Sequence, residues 1–287
     1  MNSDELGRKG STLDFIIYFI VKVRNDDIFA LASQLAYYLI LSFFPFLIFV
    51  MTVVGASALN SMEILDGLSS ILPSSVFDLV SSIVIEMVDN QHRGLIGVSI
   101  VISIWAASSG FRAVIKGVNK AHDIKETRSY IKRSIIAIIF TFVLTLIIAL
   151  TLAMLVFGDL IGIYILAILP FYKAIKILWN IVRYAIITSV MIGTFAVIYR
   201  YTPAKKIKWK QVLPGSIVST IGWIVSSLGF AFYVNNFSNY SRLYGSLGAV
   251  FILMTWLYIT SMILILGAEI NSVIMLRKKQ RENKYLN

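Results

Sequence analysis

Long runs of apolar residues, separated by short polar and charged stretches, dominate the pattern along this chain. A helix that crosses a hydrocarbon core of about 30 Å needs roughly 20 apolar residues. The pattern therefore predicts an all-α, polytopic membrane protein with six transmembrane helices. The predicted spans cover residues 28–59, 95–115, 134–157, 177–199, 212–234 and 247–275.

Two shorter segments have the pattern of amphipathic helices that lie at the membrane surface. Residues 12–24 are largely apolar but too few to span. In the outer loop over residues 60–93, the second predicted helix covers residues 74–89, where polar residues recur at helical spacing from position 78 to position 89. We therefore predict a single membrane domain over residues 1–276, with the helix at 12–24 on its cytoplasmic side, followed by a basic cytoplasmic tail over residues 277–287.

Composition agrees with a membrane protein and disfavours familiar catalytic sites. Hydrophobic residues make up 58% of the chain and charged residues only 14%, against about 25% charged in a typical soluble domain. The chain has no Cys and two His, which excludes disulfides, Cys-ligated zinc and thiol nucleophiles. It has no HExxH motif and no phosphate-binding glycine loop. We expect no catalytic residue, no metal, no cofactor and no enzymatic activity.

Positive charge is concentrated on alternate sides of the predicted spans. The chain has a net charge of +11, and 21 of its 26 Lys and Arg residues lie in the N-terminal segment, residues 112–133, residues 200–210 and the tail. By the positive-inside rule, this asymmetry predicts that both termini are cytoplasmic. Cations beside span ends attract anionic lipid headgroups by about 1 kcal/mol each. We therefore expect the lipid bilayer and its anionic headgroups, and no nucleic acid, as partners.

Small residues recur along one face of two predicted spans. Ser103 and Gly110 belong to such a row in the second span, and the fifth span holds a longer one. Such faces let membrane helices approach closely. We predict that these two spans pack against each other there; a sliding or polar-lined interface is the alternative. The row in the fifth span consists of Gly215, Ser219, Gly222, Ser226 and Gly229.

A carboxylate in the sixth span is the first candidate for a functional site. Glu269 lies among apolar residues, where an unpaired charge is costly, so a cationic partner is expected. Arg112 is the first candidate by topology and Lys116 the second. The pair is either purely structural or part of an ion, proton or headgroup site.

A cation in the loop before the sixth span is the second candidate. Arg242 is nearly alone among polar and aromatic residues that include Asn235 and Tyr240. It acts either as an interfacial anchor or as a contact for an anionic headgroup that arrives from the outer leaflet. Arg112, Glu269, Arg242, Asn235 and Tyr240 are thus the candidate substrate-binding residues.

Four segments of the sequence resemble the YihY/BrkB family of bacterial inner-membrane proteins, also called UPF0761. They are DDIFALASQLAYYLILSFFPFLIF, WAASSGFRAVIKGVNKAHDIKETRSYIKR, FYVNNFSNYSRLYGSLGAV and LGAEIN. The resemblance covers about residues 10–275 and implies six helices in the inner membrane. Members of the family are described as virulence factors or transporters, one is linked to export of a lipopolysaccharide precursor, and others carry a ribonuclease label. The resemblance implies no catalytic set.

Three functions remain as hypotheses. The first is a transporter or flippase-like protein for an amphipathic or anionic substrate, including a lipid. The second is a membrane scaffold for envelope assembly, without transport, and the third is a ribonuclease. The sequence leaves homo-oligomerisation open.

Topology is directly testable because the natural chain has no Cys. We expect a Cys placed at Asn2 to resist membrane-impermeant thiol reagents in intact cells, and a Cys in the loop 60–93 to react. The measurement is labelling before and after permeabilisation. Labelling of position 2 in intact cells would contradict cytoplasmic termini.

Overall fold

A computed structural model describes residues 12–55, 96–168, 172–237 and 246–284, with isolated positions between 62 and 85. The four ranges contain only helices and the short turns between them. The helices are α1 (Thr12–Asn25), α2 (Ile28–Gly55), α3 (Ile96–Ala121), α4 (Tyr130–Ile168), α5 (Tyr172–Tyr201), α6 (Trp209–Phe237) and α7 (Ser246–Lys284).

The prediction of an all-α polytopic membrane protein is confirmed. Five of the described helices, α3 to α7, contain stretches long and apolar enough to cross a membrane. The first predicted span forms α2, whose described apolar part, Ile28–Phe43, is shorter. The surface helix predicted over residues 12–24 is present as α1. Of the helix predicted over residues 74–89, only positions 77, 81 and 85 are described, and each is helical.

Two helices extend beyond their predicted ends into basic segments. The second predicted span ends near residue 115, but α3 continues to Ala121 and so includes Lys116 and Lys120. In the same way, α7 continues through the basic residues after position 276 to Lys284. Cations in the last turns of a helix interact favourably with its carbonyl end, which explains the continuation.

The helices pack around a centre formed by α2, α3 and α7. α7 lies against α2 and α6, α3 lies against α2 and α4, and α5 lies against α6. Ile28, Ile115 and Ile265 are fully buried where α2, α3 and α7 meet. Large apolar side chains on the outward faces, such as Phe142 and Leu228, are more than half exposed. These outward faces are the surfaces that lipid would cover.

The small-residue rows pack closely, but against other helices than predicted. Gly110 in α3 faces α2, where an added Cβ would lie 2.6 Å from Ser42 Oγ. Gly215 in α6 lies against the backbone of Gly267 in α7. The predicted contact between the second and fifth spans is therefore corrected: α2 covers one row and α7 the other. Each partner has a small residue of its own opposite the row, which permits the approach.

The row in α6 is close-packed along only part of its length. Ser219 is buried and Ser226 half-buried, whereas Gly229 is exposed and has no described atom near its missing Cβ. In α3, Ser103 is also buried. The close approach is thus local to the first turns of α6.

Hydrogen bonds join α5, α6 and α7 at this close approach. The hydroxyl of fully buried Tyr199 donates to the carbonyl of Leu264 over 2.8 Å and lies 2.7 Å from Ser219 Oγ. The amide of Gly215 donates to Asn271 Oδ1 over 2.7 Å. Because direct hydrogen bonds between membrane helices add to packing, these contacts fix the three helices in register.

Adding one methyl group tests the α6–α7 contact. In Gly215→Ala the new Cβ would overlap Gly267 and Asn271, so we expect a loss of about 1–3 kcal/mol of stability. Gly229→Ala, on the same helix with open space, is the matched control and should leave stability unchanged or slightly raised. Thermal unfolding in detergent is the measurement. Equal unfolding temperatures for the two variants would contradict a close contact between α6 and α7 at Gly215.

Candidate functional site

One face of α1 points at the second half of α7. Phe15, Phe19, Lys22 and Asp26 follow each other at helical spacing, and the rings of Phe15 and Phe19 stack 6.4 Å apart. Arg277 of α7 lies over the ring of Phe15. This face therefore carries an apolar half and a charged half, and the charged half is buried with Lys22 only 8% exposed.

Five charged residues meet where α1 docks, and we call them the Lys22 cluster: Lys22, Asp26, Lys120, Asp123 and Glu269. Lys22 Nζ donates to Asp26 Oδ2 over 2.5 Å and to Asp123 Oδ2 over 3.1 Å. It lies 3.3 Å from Glu269 Oε2. Lys120 Nζ adds a more distant contact, 3.6 Å from Asp26 Oδ1. A single buried ammonium thus holds three carboxylates from three parts of the chain.

Lys22 and Glu269 differ greatly in the number of hydrogen bonds that stabilise their charges. Burial alone would lower the pKa of Lys22, but the hydrogen bond to Asp26 and the charges of Glu269 and Asp123 hold it above its ordinary value. Lys22 is therefore a permanent cation at neutral pH. Glu269, by contrast, is fully buried, and neither of its oxygens accepts a hydrogen bond from any described group. Its stabilisation comes from charge attraction rather than hydrogen bonding.

His122 lies beside the Lys22 cluster without adding charge to it. Its Nδ1 lies 3.1 Å from the carbonyl oxygen of Val118. Burial, assisted by the positive charge of Lys22, lowers the pKa of His122 to about 4. The imidazole is consequently neutral at pH 7.

A second polar network joins the α3–α4 loop to the α5–α6 loop. Arg128 forms a two-pronged ion pair with Glu126 at 2.7 Å and donates to the carbonyl of Thr202. Buried Asn119 donates to Glu126 and accepts from the amide of Ala204, both over 2.9 Å. The hydrogen bonds from Arg128 hold the pKa of Glu126 below its ordinary value, so the carboxylate stays ionised at neutral pH. The network thereby joins the two loops to each other and to α3.

A groove of about 490 Å³ opens beside this network between α4 and α5. Its entrance carries three cations, Arg128, Lys132 and Lys206, and its walls are mainly apolar. Arg128 is neutralised by Glu126, whereas the exposed Lys132 and Lys206 have no acid within ion-pair distance among the described residues. The groove thus combines a net positive entrance with an apolar interior.

The groove continues deeper along the same two helices. A second hollow of about 170 Å³ shares Phe140, Val143 and Val197 with the first. It runs past Gly193 of α5 and reaches Phe111 of α3. The second hollow is lined almost entirely by apolar residues and lies next to the first.

The sequence matches the Virulence factor BrkB family over residues 19–286. The chain belongs to the Virulence factor BrkB family. It is 35% identical to the Bacillus subtilis (strain 168) protein named "Putative ribonuclease-like protein YfkH", over 88% of this chain and 93% of that one.

Two further relatives are named as membrane proteins. The chain is 27% identical to a UPF0761 membrane protein of Pseudoalteromonas atlantica, over 94% of this chain and 89% of that protein. It is 25% identical to UPF0761 membrane protein VV0203 of Vibrio vulnificus, over 96% and 86%. No solved structure matches. The predicted family resemblance is thus confirmed.

The partner expected for Glu269 is corrected by the structure. Arg112 donates to Ser108 Oγ of its own helix over 2.6 Å and lies over the ring of Trp105, while Lys116 donates to Gln34. Lys22 takes the place predicted for them. The reason is that α1 packs into the bundle with its cation inward, whereas the sequence pattern indicated a helix at the membrane surface.

Of the other predicted binding residues, only Asn235 lies in a described helix. Tyr240 and Arg242 are outside the described residues, and the described part of Asn235 is limited to its place in α6. Their role therefore stays a prediction. Of the five candidate substrate-binding residues, the structure places Glu269 in a charged cluster and Arg112 apart from it.

Removing the charges of the ion pair singly and together tests the contact between α1 and α7. Lys22→Met strands buried carboxylates and should lower stability by about 3–5 kcal/mol. The combined change with Glu269→Gln should cost less than the sum of the single changes, because the two residues interact. Thermal unfolding in detergent provides the values.

Arg112→Gln is the control for this cycle, since Arg112 carries the same charge on a packed helix but contacts Ser108. Its effect should add to that of Glu269→Gln within about 0.5 kcal/mol. Additivity of Lys22→Met with Glu269→Gln would contradict the pair, and strong coupling of Arg112 with Glu269 would restore the original partner.

Proposed function

We propose that this BrkB-family protein is a transporter or flippase-like protein for an anionic amphipathic substrate, with a membrane lipid as the expected class. It resides in the bacterial inner membrane with both termini in the cytoplasm. The groove between α4 and α5 receives the substrate from the cytoplasmic leaflet.

The groove is the observation that carries this proposal. Phosphate and carboxylate groups bind Arg and Lys through charge-assisted hydrogen bonds, and Lys132 and Lys206 stand at its entrance. The interior offers Ile136, Phe140 and Val143 to an acyl chain. Its volume is in the range of small-molecule sites, about 300–1,000 Å³. The cations at the entrance of the groove match an anionic headgroup, and its apolar walls match a hydrocarbon tail.

The position of the groove supports entry from the lipid phase. Its walls belong to α4 and α5, whose outward side chains Ile139 and Tyr201 are exposed. The cations at the entrance belong to the two basic loops that the positive-inside rule assigns to the cytoplasm. A lipid of the inner leaflet therefore reaches the entrance by lateral diffusion.

The ribonuclease-like name belongs to the Bacillus subtilis relative. In the part of this chain that the structure describes, no group of three or more His, Asp or Glu residues is arranged to hold a metal ion. The scaffold hypothesis differs from transport in requiring no movement of a bound molecule. All three hypotheses give different results in one set of assays on the purified protein.

Binding of a fluorescent anionic phospholipid tests the groove. Replacing both Lys132 and Lys206 by Gln should weaken binding about tenfold to thirtyfold, because each cation contributes about 1 kcal/mol. Replacing Lys205 and Lys208 by Gln removes the same charge from exposed positions of the same loop region outside the groove, and should change affinity little. Titration of the protein in nanodiscs gives the affinities.

Movement of the same lipid between leaflets of proteoliposomes tests transport. Transport that is lost in the Lys132/Lys206 variant and retained in the control supports the proposal. Binding without movement favours the scaffold, and degradation of RNA by the purified protein favours the ribonuclease. Equal lipid binding by wild type and both double variants would contradict the groove as the site.

A further inference from the structure

We propose that the Lys22 cluster is a proton-binding site in which Glu269 carries one exchangeable proton and exposed Asp123 marks the entry from water. On uptake, a proton from water adds to a carboxylate oxygen of Glu269, and the cluster changes from a net charge of −1 to neutral. The site lies where α1 packs against α7, and none of its residues lines the groove.

The charge balance of the cluster is the first argument. Asp26, Asp123 and Glu269 supply three negative charges, whereas Lys22 and Lys120 supply two positive ones. His122 stays neutral because burial lowers its pKa. One carboxylate is therefore in excess, and a buried excess charge is relieved by binding a proton.

Among the described residues, no further charged group is recorded in an ion pair with the Lys22 cluster. On α3, which also packs on α7, Lys116 donates to Gln34 and Arg112 to Ser108, and Arg24 and Asp27 beside the cluster are exposed. The described part of α2, which packs on α7, contributes only Tyr37 and Tyr38, and both are exposed. On α6, Lys210 is exposed at the first turn. Farther along α7, the next cation, Arg277, lies over the ring of Phe15. The excess negative charge thus stays within the cluster.

Glu269 is the carboxylate best suited to hold the proton. Asp26 and Asp123 each accept a hydrogen bond from Lys22, which stabilises their ionised forms. Glu269 is fully buried, receives no hydrogen bond from the described groups and has Lys22 only at 3.3 Å. Of the three carboxylates, Glu269 therefore loses the least interaction energy when it is protonated. It gives up only its ion pair with Lys22, and the new O–H group can donate a hydrogen bond.

The proton has a short path from water. Lys22 contacts both Asp123 and Glu269. The side chain of Asp123 is 62% exposed, whereas that of Glu269 is fully buried. Lys22 Nζ lies between the two carboxylates, 3.1 Å from one and 3.3 Å from the other. A small movement of the Lys22 side chain therefore brings water to Glu269 along Asp123.

The loop between α3 and α4 connects the proton site with the groove. Asp123 belongs to the Lys22 cluster, and Arg128, five residues later, lines the groove. Between them, Glu126 ties the loop to Asn119 of α3. Resting on the proposed function, we infer that proton uptake shifts this loop and changes the affinity of the groove for its anionic substrate.

Infrared difference spectroscopy of the purified protein in nanodiscs tests the proton site without any substrate. As the pH is lowered, the wild type should show the band of one buried protonated carboxylic acid appear, and Glu269→Gln should lack this band. Glu126→Gln is the matched control, because Glu126 is held ionised by Arg128 and its removal should leave the band unchanged. A band that persists in folded Glu269→Gln overturns the proposal.

Two further variants keep the test decisive if Glu269→Gln does not fold. Asp26→Asn removes a neighbouring negative charge and should move the titration midpoint to lower pH by about one unit. Lys22→Met removes the cation and should move it to higher pH by at least as much. A midpoint that is unchanged in both variants overturns the proposal.

The pH dependence of lipid binding separates the two proposals. If the wild type binds no anionic lipid at any pH while the Glu269 band titrates, the proposed function fails and the proton site stands. If lipid binds but the band is absent or independent of Glu269, the proton site fails and the groove stands. Coupling requires that the pH dependence of lipid affinity be lost in Glu269→Gln, move to lower pH in Asp26→Asn and be kept in the Lys205/Lys208 control variant.

Discussion

A carboxylate without exposure in the last helix is the constraint on which the arrangement of one end of the bundle depends. Glu269 requires a cation, and the cation comes from a helix that does not cross the membrane. Lys22 reaches it only because α1 lies along α7, and it also holds Asp123 from the α3–α4 loop. One ammonium thus links α1 both to α7 and to the loop between α3 and α4.

The long apolar helices were predictable, and the contacts between them were predictable only in part. A run of about 20 apolar residues is typical of a membrane-spanning helix, and the sequence contains several such runs. The small-residue rows were also recognised, but a row indicates only that something comes close. Its partner depends on a small residue on another helix, such as Gly267 opposite Gly215, and a pattern within one helix does not contain that information.

The Lys22 cluster and the groove depend on residues far apart in the sequence. A signal for the cluster existed: Phe15, Phe19 and Lys22 share one face of α1, and Asp26 follows at the next helical spacing just after the helix, which is unusual for a helix expected to keep its charges in water. For the groove no local signal existed. Arg128, Lys132 and Lys206 are ordinary basic residues near span ends, and only the packing of α4 beside α5 brings them to one entrance.

The length of α7 has an electrostatic consequence. Its 39 residues extend about 58 Å as a straight helix, nearly twice the hydrocarbon thickness of about 30 Å. The last ten residues, from Met275 to Lys284, therefore rise about 14 Å, more than the screening length of about 8 Å in physiological salt. The attraction of the outermost cations of α7 to anionic headgroups is consequently weak. The basic residues nearer the bilayer contribute most of the electrostatic attraction to the membrane.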